Sequence, residues 1–332
     1  MTSKPPAGFS SGGRDGSMQR YLFQRLILVI PVLFIVSVVI FSIVHLTPGD
    51  AAYSILGDEA SQPKIEELRE RLGLNLAPIV QYTRWISNVV RGNLGVSFLR
   101  DYPVIDLIKL HIKPTLSLTL YSMAISISIA LALGILSAKM QGTVFDHGIT
   151  TFTMFGISVP GFLLGLGLMY LFAVYLRWFP VASYKDISAG LGPHLRSITL
   201  PAVSLGMMHY ALIMRMTRTT VIEILNSDFI MLAKAKGVSE FAIFVKHALR
   251  NAMIPIITVI GQSFISALSG AAVIESMFGV PGMGQLIVNS INRRDYLVIQ
   301  GVVLFITLLN VVISLIVDLL YCVLDPRIRL SH

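Results

Sequence analysis

Six long apolar stretches constrain the fold of this 332-residue chain more than any other feature of its sequence. A helix needs about 20 mainly apolar residues to cross about 30 Å of hydrocarbon. Each stretch is nearly free of charged residues, and none shows the alternating pattern of an outer-membrane barrel strand. The sequence therefore predicts an all-α polytopic membrane protein with six transmembrane helices. The predicted spans are residues 26–46, 116–138, 151–175, 198–214, 254–274 and 297–321.

The composition agrees with a membrane protein and argues against other classes. Hydrophobic residues make up 54% of the chain and charged residues 13%, about half the charged share of soluble domains. These values exclude disorder and nearly exclude a soluble enzyme. Cys322 is the single cysteine, so no internal disulfide can form, and no Cys/His spacing suggests a metal site. The net charge of +8 favours loops that face anionic membrane lipid over nucleic-acid binding.

Positive charge in the short loops predicts the orientation of the chain in the membrane. With both termini inside, the cytoplasmic segments hold thirteen Lys and Arg residues, while the two short outer loops hold five. The sequence therefore predicts an N-in/C-in topology in the cytoplasmic (inner) membrane of a prokaryote. The predicted cytoplasmic segments are residues 1–25, 139–150, 215–253 and 322–332.

The segments between the spans define the predicted organisation. Residues 1–25 form a tail that is predicted to be disordered before residue 18, because it is rich in Gly, Ser and Pro. The first transmembrane helix is 26–46, and the extracytoplasmic segment is 47–115. Residues 116–321 form a five-helix core that contains the cytoplasmic segment 215–253, and the C-terminal tail is 322–332.

The extracytoplasmic segment carries signals for short amphipathic helices. Ser61 is a possible N-cap, and Gly73 is a stop signal twelve positions later. A second helix is predicted from Pro78 to Val90, and a third begins near Pro103. We expect these helices to cap the outer face of the bundle, with a solvated loop without a role as the alternative.

The cytoplasmic segment 215–253 reads as two helices that meet at a corner. Gly237 interrupts the first helical pattern, and Ser239 can cap a second helix with Glu240 in its first turn. The corner projects into the cytoplasm, and its small residues let another backbone approach closely, so we interpret it as a docking surface. The alternative is a hydrophobic helix pair that lies flat on the membrane. The predicted apolar faces are Val221, Leu225, Phe229 and Leu232 on the first helix, and Phe241, Phe244, Val245, Ala248 and Leu249 on the second.

At the corner the chain resembles the permease subunits of ABC importers, specifically the dipeptide/oligopeptide/nickel group. Met231 and Leu232 stand where that family's cytoplasmic loop has Glu and the first Ala, whereas Ala233 and Gly237 keep the family spacing. The resemblance extends over almost the whole chain. Its further motifs include Thr47-Pro48-Gly49-Asp50, Gly92-Asn93-Leu94-Gly95-Val96-Ser97, His247-Ala248-Leu249-Arg250-Asn251, Pro281-Gly282-Met283-Gly284 and Asp325-Pro326-Arg327.

The resemblance implies the ABC importer type I permease fold and a set of partners. These are a second homologous permease, two cytoplasmic ABC ATPase subunits and an extracytoplasmic solute-binding protein. The solute implied is a dipeptide or oligopeptide, with nickel complexes, glutathione or another small solute as alternatives. The residues expected to couple to the ATPases are Ala233, Lys234, Ala235, Lys236, Gly237, Val238 and Ser239.

Catalytic chemistry is not expected in this chain. It has no G-x-x-x-x-G-K-[ST] loop to hold nucleotide phosphates, so ATP and Mg²⁺ are expected on the partner ATPases and no cofactor on this subunit. An intramembrane serine hydrolase built on Ser158 or Ser204 with His209 is disfavoured, because neither serine lies in a G-x-S-x-G motif. A secondary transporter is also disfavoured, because Glu275 and Asp318 lie toward span ends rather than at mid-membrane.

Four polar residues of the third to fifth spans are candidates for lining a translocation pathway, because polar side chains avoid lipid. The alternative role for each is a hydrogen bond between helices. The candidates are Ser158, Ser204, Gln262 and Ser266.

Overall fold

The computed structural model describes residues 14–46 and 61–324 and is built of helices. Within these residues the only β pairing is an isolated bridge between Val96 and Pro103. The helices are α1 (Arg14–Leu46), α2 (Gln62–Leu72), α3 (Pro78–Val90), α4 (Val104–Lys139), α5 (Val144–Ser158), α6 (Gly161–Leu168, extended by the π-helical turn Met169–Tyr175), α7 (Leu191–Leu225), α8 (Asp228–Ala235), α9 (Glu240–Phe278), α10 (Met283–Asn292) and α11 (Tyr296–Leu324).

Each predicted span lies within these helices, so the six-span prediction is compatible with the structure. Four helices, α4, α7, α9 and α11, are individually long and apolar enough to cross a membrane, and α5 with α6 meets the same test as a pair. The described apolar part of α1 is Ile27–Ile43. α1 begins at Arg14, so residues 14–25 of the predicted tail continue the first helix. Residues 1–13 and 325–332 lie outside the described residues, as does the Thr47-Pro48-Gly49-Asp50 motif.

The third span is not the single straight helix that the sequence predicts. α5 and α6 meet at an angle of 101°. The reason lies at Pro160, whose ring disfavours helical conformation at the preceding residue. Val159 is accordingly extended, with φ −92° and ψ 121°. The third span therefore consists of two separate helices, α5 and α6.

The outer segment confirms two predicted helices and corrects the third. α2 follows an extended Ser61 and ends at Gly73, whose φ of +69° suits glycine, and α3 spans Pro78–Val90 as predicted. The third helix is not short, because α4 runs from Val104 to Lys139 without a break and contains the predicted second span. Val104, Leu107 and Ile108 extend it outward, since they are buried against α10 and α11. The predicted boundary at residue 115 therefore falls in mid-helix.

The centre of the bundle is the contact between α4 and α7. α7 has 72% of its most apolar stretch buried, far more than the other long helices. Gly206 allows close approach here, because a Cβ at this position would overlap the Ser126 hydroxyl. The Ser126 Oγ donates to the Gly206 carbonyl at 2.8 Å. Tyr210, the largest fully buried side chain among the described residues, lies one turn further along α7.

Candidate functional site

The corner at residues 233–239 is a tight turn with its own internal hydrogen bonds. α8 ends at Ala235, and Gly237 adopts a φ of +75°, which an L side chain rarely adopts. The Gly237 N–H donates to the Lys234 carbonyl at 3.0 Å, and the Val238 N–H donates to the Ala233 carbonyl at 3.2 Å. These bonds satisfy the end of α8 in the manner of a Schellman motif, so the corner has a defined shape without needing a partner to fold it.

Beyond the corner, the chain enters a long helix directly. The Ala242 N–H donates to the Ser239 hydroxyl at 3.4 Å, which confirms Ser239 as the predicted cap, and Glu240 lies in the first turn. From Glu240 the helix α9 continues through Pro255 to Phe278. One continuous helix therefore joins the corner to the predicted fifth span. A displacement of the corner could be transmitted along this helix.

The corner offers an open surface. Ala233 is half-buried, and Lys234 through Ser239 are all exposed. A Cβ added at Gly237 would meet no atom within 4 Å, so nothing in the described part of the chain covers this position. Small side chains on an ordered turn give a surface that another protein can approach closely.

The predicted apolar face of the first helix is wrong. α7 ends at Leu225, and a new helix begins after Ser227, whose extended backbone (φ −76°, ψ 153°) breaks the helical phase. Val221 is fully buried, whereas Phe229 and Leu232 are 45% and 57% exposed. Ser227 occupies the N-cap position of α8, a position that favours serine, although its hydroxyl donates to the Ile224 carbonyl at 2.5 Å and does not cap the new helix.

The predicted apolar face of the second helix is also wrong. Residues Ile243–Leu249 form a π-helix, in which hydrogen bonds link residues five apart. Ile243 and Ala248, five positions apart, are the buried pair, while Phe241 is 79% exposed. The structure therefore leaves apolar side chains on the surface around the corner. They are Phe229, Met231, Leu232 and Phe241.

The four pathway candidates fall into two environments. Gln262 and Ser266 are exposed and lie one turn apart on the same face of α9. Ser158 is exposed at the end of α5, where its hydroxyl donates to the Met154 carbonyl at 3.0 Å. Ser204 is fully buried where α7 packs on Gly165 of α6, but its hydroxyl donates to the Leu200 carbonyl of its own helix and not across the contact.

The rival serine hydrolase gains no support from the geometry. The Ser158 and Ser204 hydroxyls each donate to the carbonyl four residues earlier in their own helix. This is the usual bond of a serine inside a helix, and it leaves neither hydroxyl activated by His209.

Glu275 lies one residue beyond the predicted fifth span, and its carboxylate caps α10. Its side chain is fully buried. It accepts a hydrogen bond from the Thr115 hydroxyl at 2.6 Å and another from the Gln285 N–H at 3.0 Å. The Thr115 hydroxyl in turn accepts from the Met283 N–H at 2.8 Å. A carboxylate at a helix N-terminus stabilises the helix, because it accepts from free N–H groups and interacts favourably with the helix dipole. Through these hydrogen bonds Glu275 joins α4, α9 and α10. We call Thr115 and Glu275 the α10 cap.

The glycines of the Pro281-Gly282-Met283-Gly284 motif make room for the α10 cap. A Cβ on Gly282 would overlap the Glu275 carboxylate, and a Cβ on Gly284 would overlap the backbone of Ala272. The motif was predicted to make turns, and Gly282 is indeed the residue that precedes α10. Its packing role could not be read from the sequence, because Ala272 lies in another helix.

Sequence reasoning also missed a partly buried ion pair. Arg218 was counted only among the positive charges of the cytoplasmic segments and Asp146 was not considered, but the Arg218 guanidinium donates to both carboxylate oxygens of Asp146, at 2.8 and 2.7 Å. The two residues are 72 positions apart, and no motif links them. The only sequence signal is one acidic residue in an otherwise apolar first turn of α5.

Comparison with known proteins gives a consistent result over the chain. The family model "Binding-protein-dependent transport system inner membrane component" matches residues 130–330, and the model of the N-terminal part of the same group matches residues 18–119. A probable peptide ABC transporter permease of Sinorhizobium fredii is 41% identical over 93% of this chain and 99% of the relative. The glutathione transport system permease GsiC of Escherichia coli O6:H1 is 41% identical over 94% of this chain and 99% of the relative.

Solved structures support the same fold. Inward-facing MetNI methionine ABC transporter chains match 67% of this chain and 97% of theirs, with a TM-score of 0.54 and 17% identity. At this identity the match concerns the fold alone. The family models and the close relatives establish more: the chain belongs to the family of inner-membrane components of binding-protein-dependent transport systems, the permease subunits of ABC importers.

Proposed function

We propose that this chain imports small peptides as one of two paired permeases, driven by two cytoplasmic ATPases that dock on the corner at residues 233–239. The observation that carries this proposal is the exposed, internally hydrogen-bonded corner that leads without a break into α9. ATP and Mg²⁺ bind the ATPases, and an extracytoplasmic solute-binding protein delivers the peptide. The N-in/C-in topology places the corner on the side where the ATPases are.

The surface around the corner suits a protein partner. The exposed apolar side chains Phe229, Met231 and Leu232 lie next to Lys234 and Lys236. An apolar patch with a basic rim gives burial at the centre and charge pairing at the edge, which is the usual anatomy of a protein interface. The same surface fits an anionic membrane, so the choice between the two is made by experiment.

The pathway is proposed to run along the face of α9 that carries Gln262 and Ser266. Both residues are exposed in the single chain, and they lie on α9, the helix that begins directly after the corner. Nucleotide-driven movement would then act on the same helix that contacts the solute.

Glutathione is the second candidate solute, and a specific observation favours it. GsiC is 41% identical to this chain, as similar as the peptide permease of Sinorhizobium fredii. Glutathione is itself a tripeptide, so one type of pathway could accept both.

The proposal is tested by reconstituting the complex of both permeases and the ATPases in liposomes with its solute-binding protein. We expect ATP-dependent uptake of labelled trialanine or glutathione that persists when a proton ionophore collapses the gradient. Uptake that stops with the ionophore while ATP remains would instead support a secondary transporter. A preparation of this subunit alone should show no ATP hydrolysis, since it lacks a phosphate-binding loop.

A further inference from the structure

Four donors converge on one buried carboxylate at the cytoplasmic end of the bundle. Asp146 is 1% exposed. Its Oδ1 accepts from the Arg218 Nε at 2.8 Å and the Ser137 hydroxyl at 2.5 Å. Its Oδ2 accepts from the Arg218 Nη2 at 2.7 Å and the Gly142 N–H at 3.0 Å. Bidentate guanidinium binding fixes the angle between two groups as well as their distance. We call Ser137, Asp146 and Arg218 the inner clamp.

The three residues of the inner clamp come from three different helices. Ser137 is near the end of α4, Asp146 is in the first turn of α5, and Arg218 is on α7. Arg218 lies about two helical turns before the end of α7 at Leu225, where the chain turns into α8 and the corner. The clamp is therefore the charged contact of α5 with α7, the helix that precedes α8 and the corner.

A second contact links the same turn to the helix that leaves the corner. The Lys139 Nζ lies 4.1 Å from the centre of the Phe244 ring. Lys139 ends α4, and Phe244 lies in the π-helical stretch that opens α9. The turn between α4 and α5 thus touches the chain on both sides of the corner. The two contacts differ in strength, because a single cation over a half-buried ring contributes less than a bidentate ion pair whose carboxylate is buried.

We propose that the inner clamp transmits the movement of the docked corner to α5, and through it to the bent third span. This inference rests on the proposed docking function. α5 has no covalent route to the corner except through α6 and the whole of α7. Separating Arg218 from Asp146 would leave a carboxylate buried without its counter-ion, which is strongly unfavourable. The cytoplasmic ends of α5 and α7 therefore move together when the ATPases displace the corner.

Arg218→Lys is the decisive variant, because it keeps the charge and the helix but cannot form the two-bond geometry. We expect trialanine uptake per ATP hydrolysed to fall by about tenfold, while the ATPases still co-purify. In Asp146→Asn, trialanine uptake per ATP hydrolysed should fall at least as far. The control is Asp106→Asn, which removes an exposed ion pair with Lys109 of the same length, 2.8 Å, at the other end of α4. It should leave uptake per ATP unchanged.

A distance measurement keeps the test independent of solute. Spin labels at Gly148→Cys on α5 and Glu223→Cys on α7, in a Cys322→Ser background, occupy exposed positions. A side chain at Gly148 meets no atom within 4 Å. With the native clamp, the distance between the labels should be the same in the nucleotide-free complex and in the complex trapped with ATP and vanadate. With Arg218→Lys, the two distances should differ.

The outcomes separate the two proposals. If uptake per ATP and the label distances of Arg218→Lys match the native complex, the clamp serves folding only and this inference is overturned. The same conclusion follows if the native label distance changes on trapping. If the native complex binds no ATPase through the corner, the proposed function is wrong and the clamp proposal is refuted with it.

Discussion

The two ends of α9 are built in opposite ways. At its start, the corner is exposed from Lys234 to Ser239, and it is stabilised by hydrogen bonds within its own turn and by packing of Ala233 on a small apolar cluster. At its end, the α10 cap is buried, and Glu275 joins three helices through a connected set of hydrogen bonds. A buried polar network holds helices in one arrangement, whereas an open turn keeps a surface available. One end of α9 therefore holds the bundle together, and the other leaves a surface open for the proposed partner.

The largest effect is expected at Gly284, where the fold leaves no space. In Gly284→Val, the new side chain would overlap the Ala272 backbone, which cannot move without separating α9 from α10. Overpacking of this kind costs about 3 kcal/mol or more, so we expect loss of folded protein from the membrane. Thermal stability of the purified complex measures the effect.

The control for this variant is Gly270→Val on α9, two positions from the Ala272 that Gly284 contacts. A Cβ there meets no atom within 4 Å. It should retain most of the stability, since only a small helix-propensity difference remains. Equal loss in both variants would show that the contact of Gly284 with Ala272 is no more constrained than the open face of α9 at Gly270.

A smaller effect is expected when the α10 cap loses its charge but keeps its shape. In Glu275→Gln, one acceptor oxygen becomes an NH₂ group that faces a donor, either the Thr115 hydroxyl or the Gln285 N–H. A buried donor without a partner costs about 1–3 kcal/mol. The melting temperature should fall in the Gln variant, and an unchanged value would mean that the cap contributes nothing to the fold.

The smallest effects sharpen the contrast between buried and exposed polar residues. Ser204→Ala removes a hydrogen bond to the Leu200 carbonyl that is worth about 1 kcal/mol, and solute uptake should be unaffected.

Gln262→Leu changes a side chain on the open face of α9, so the rate of trialanine uptake should change while the melting temperature does not. If Ser204→Ala changed uptake and Gln262→Leu lowered only the melting temperature, Ser204 would be the pathway residue and Gln262 the structural one.

Orientation is the premise of the whole comparison, and labelling tests it. Cys322 is predicted to be cytoplasmic, and Ser188 is an exposed residue of the predicted outer loop between α6 and α7. An impermeant maleimide added outside cells should modify Ser188→Cys and leave Cys322 unlabelled. Ser188 is preferable to its neighbour Gly190, whose φ of +106° disfavours any side chain.

The sequence predicted what depends on local signals. Spans, caps and stops such as Ser61, Gly73 and Ser239 follow from hydropathy and from residues that act on their own backbone. The family resemblance was confirmed by the comparisons. Local signals also account for one error that was avoidable, since the Asn226-Ser227-Asp228 run marks the start of α8.

What the sequence could not predict depends on contacts between distant residues. The π-helix at Ile243–Leu249 shifts which residues are buried, and no periodicity rule for an α-helix anticipates it. The length of α4 depends on α10 and α11 covering its outer turns. The ion pair of Asp146 with Arg218 and the α10 cap arise from pairings across more than 70 positions, for which a single sequence carries no signal.

The central claim is that the corner at residues 233–239 couples this subunit to the ATPases, and one substitution tests it most directly. Ala235→Glu places a charge on the docking surface without straining the backbone, because Ala235 is exposed at the end of α8. Ala189→Glu on the outer loop is the matched control, and Gly237→Leu is a second variant that adds bulk and also strains the turn, because φ at this position is +75°. We expect both corner variants to insert normally, and to lose trialanine uptake and ATPase co-purification by about tenfold or more, since an unpaired interface charge or a clash costs a few kcal/mol. Normal uptake and co-purification in both corner variants would contradict the account and assign this surface to the membrane.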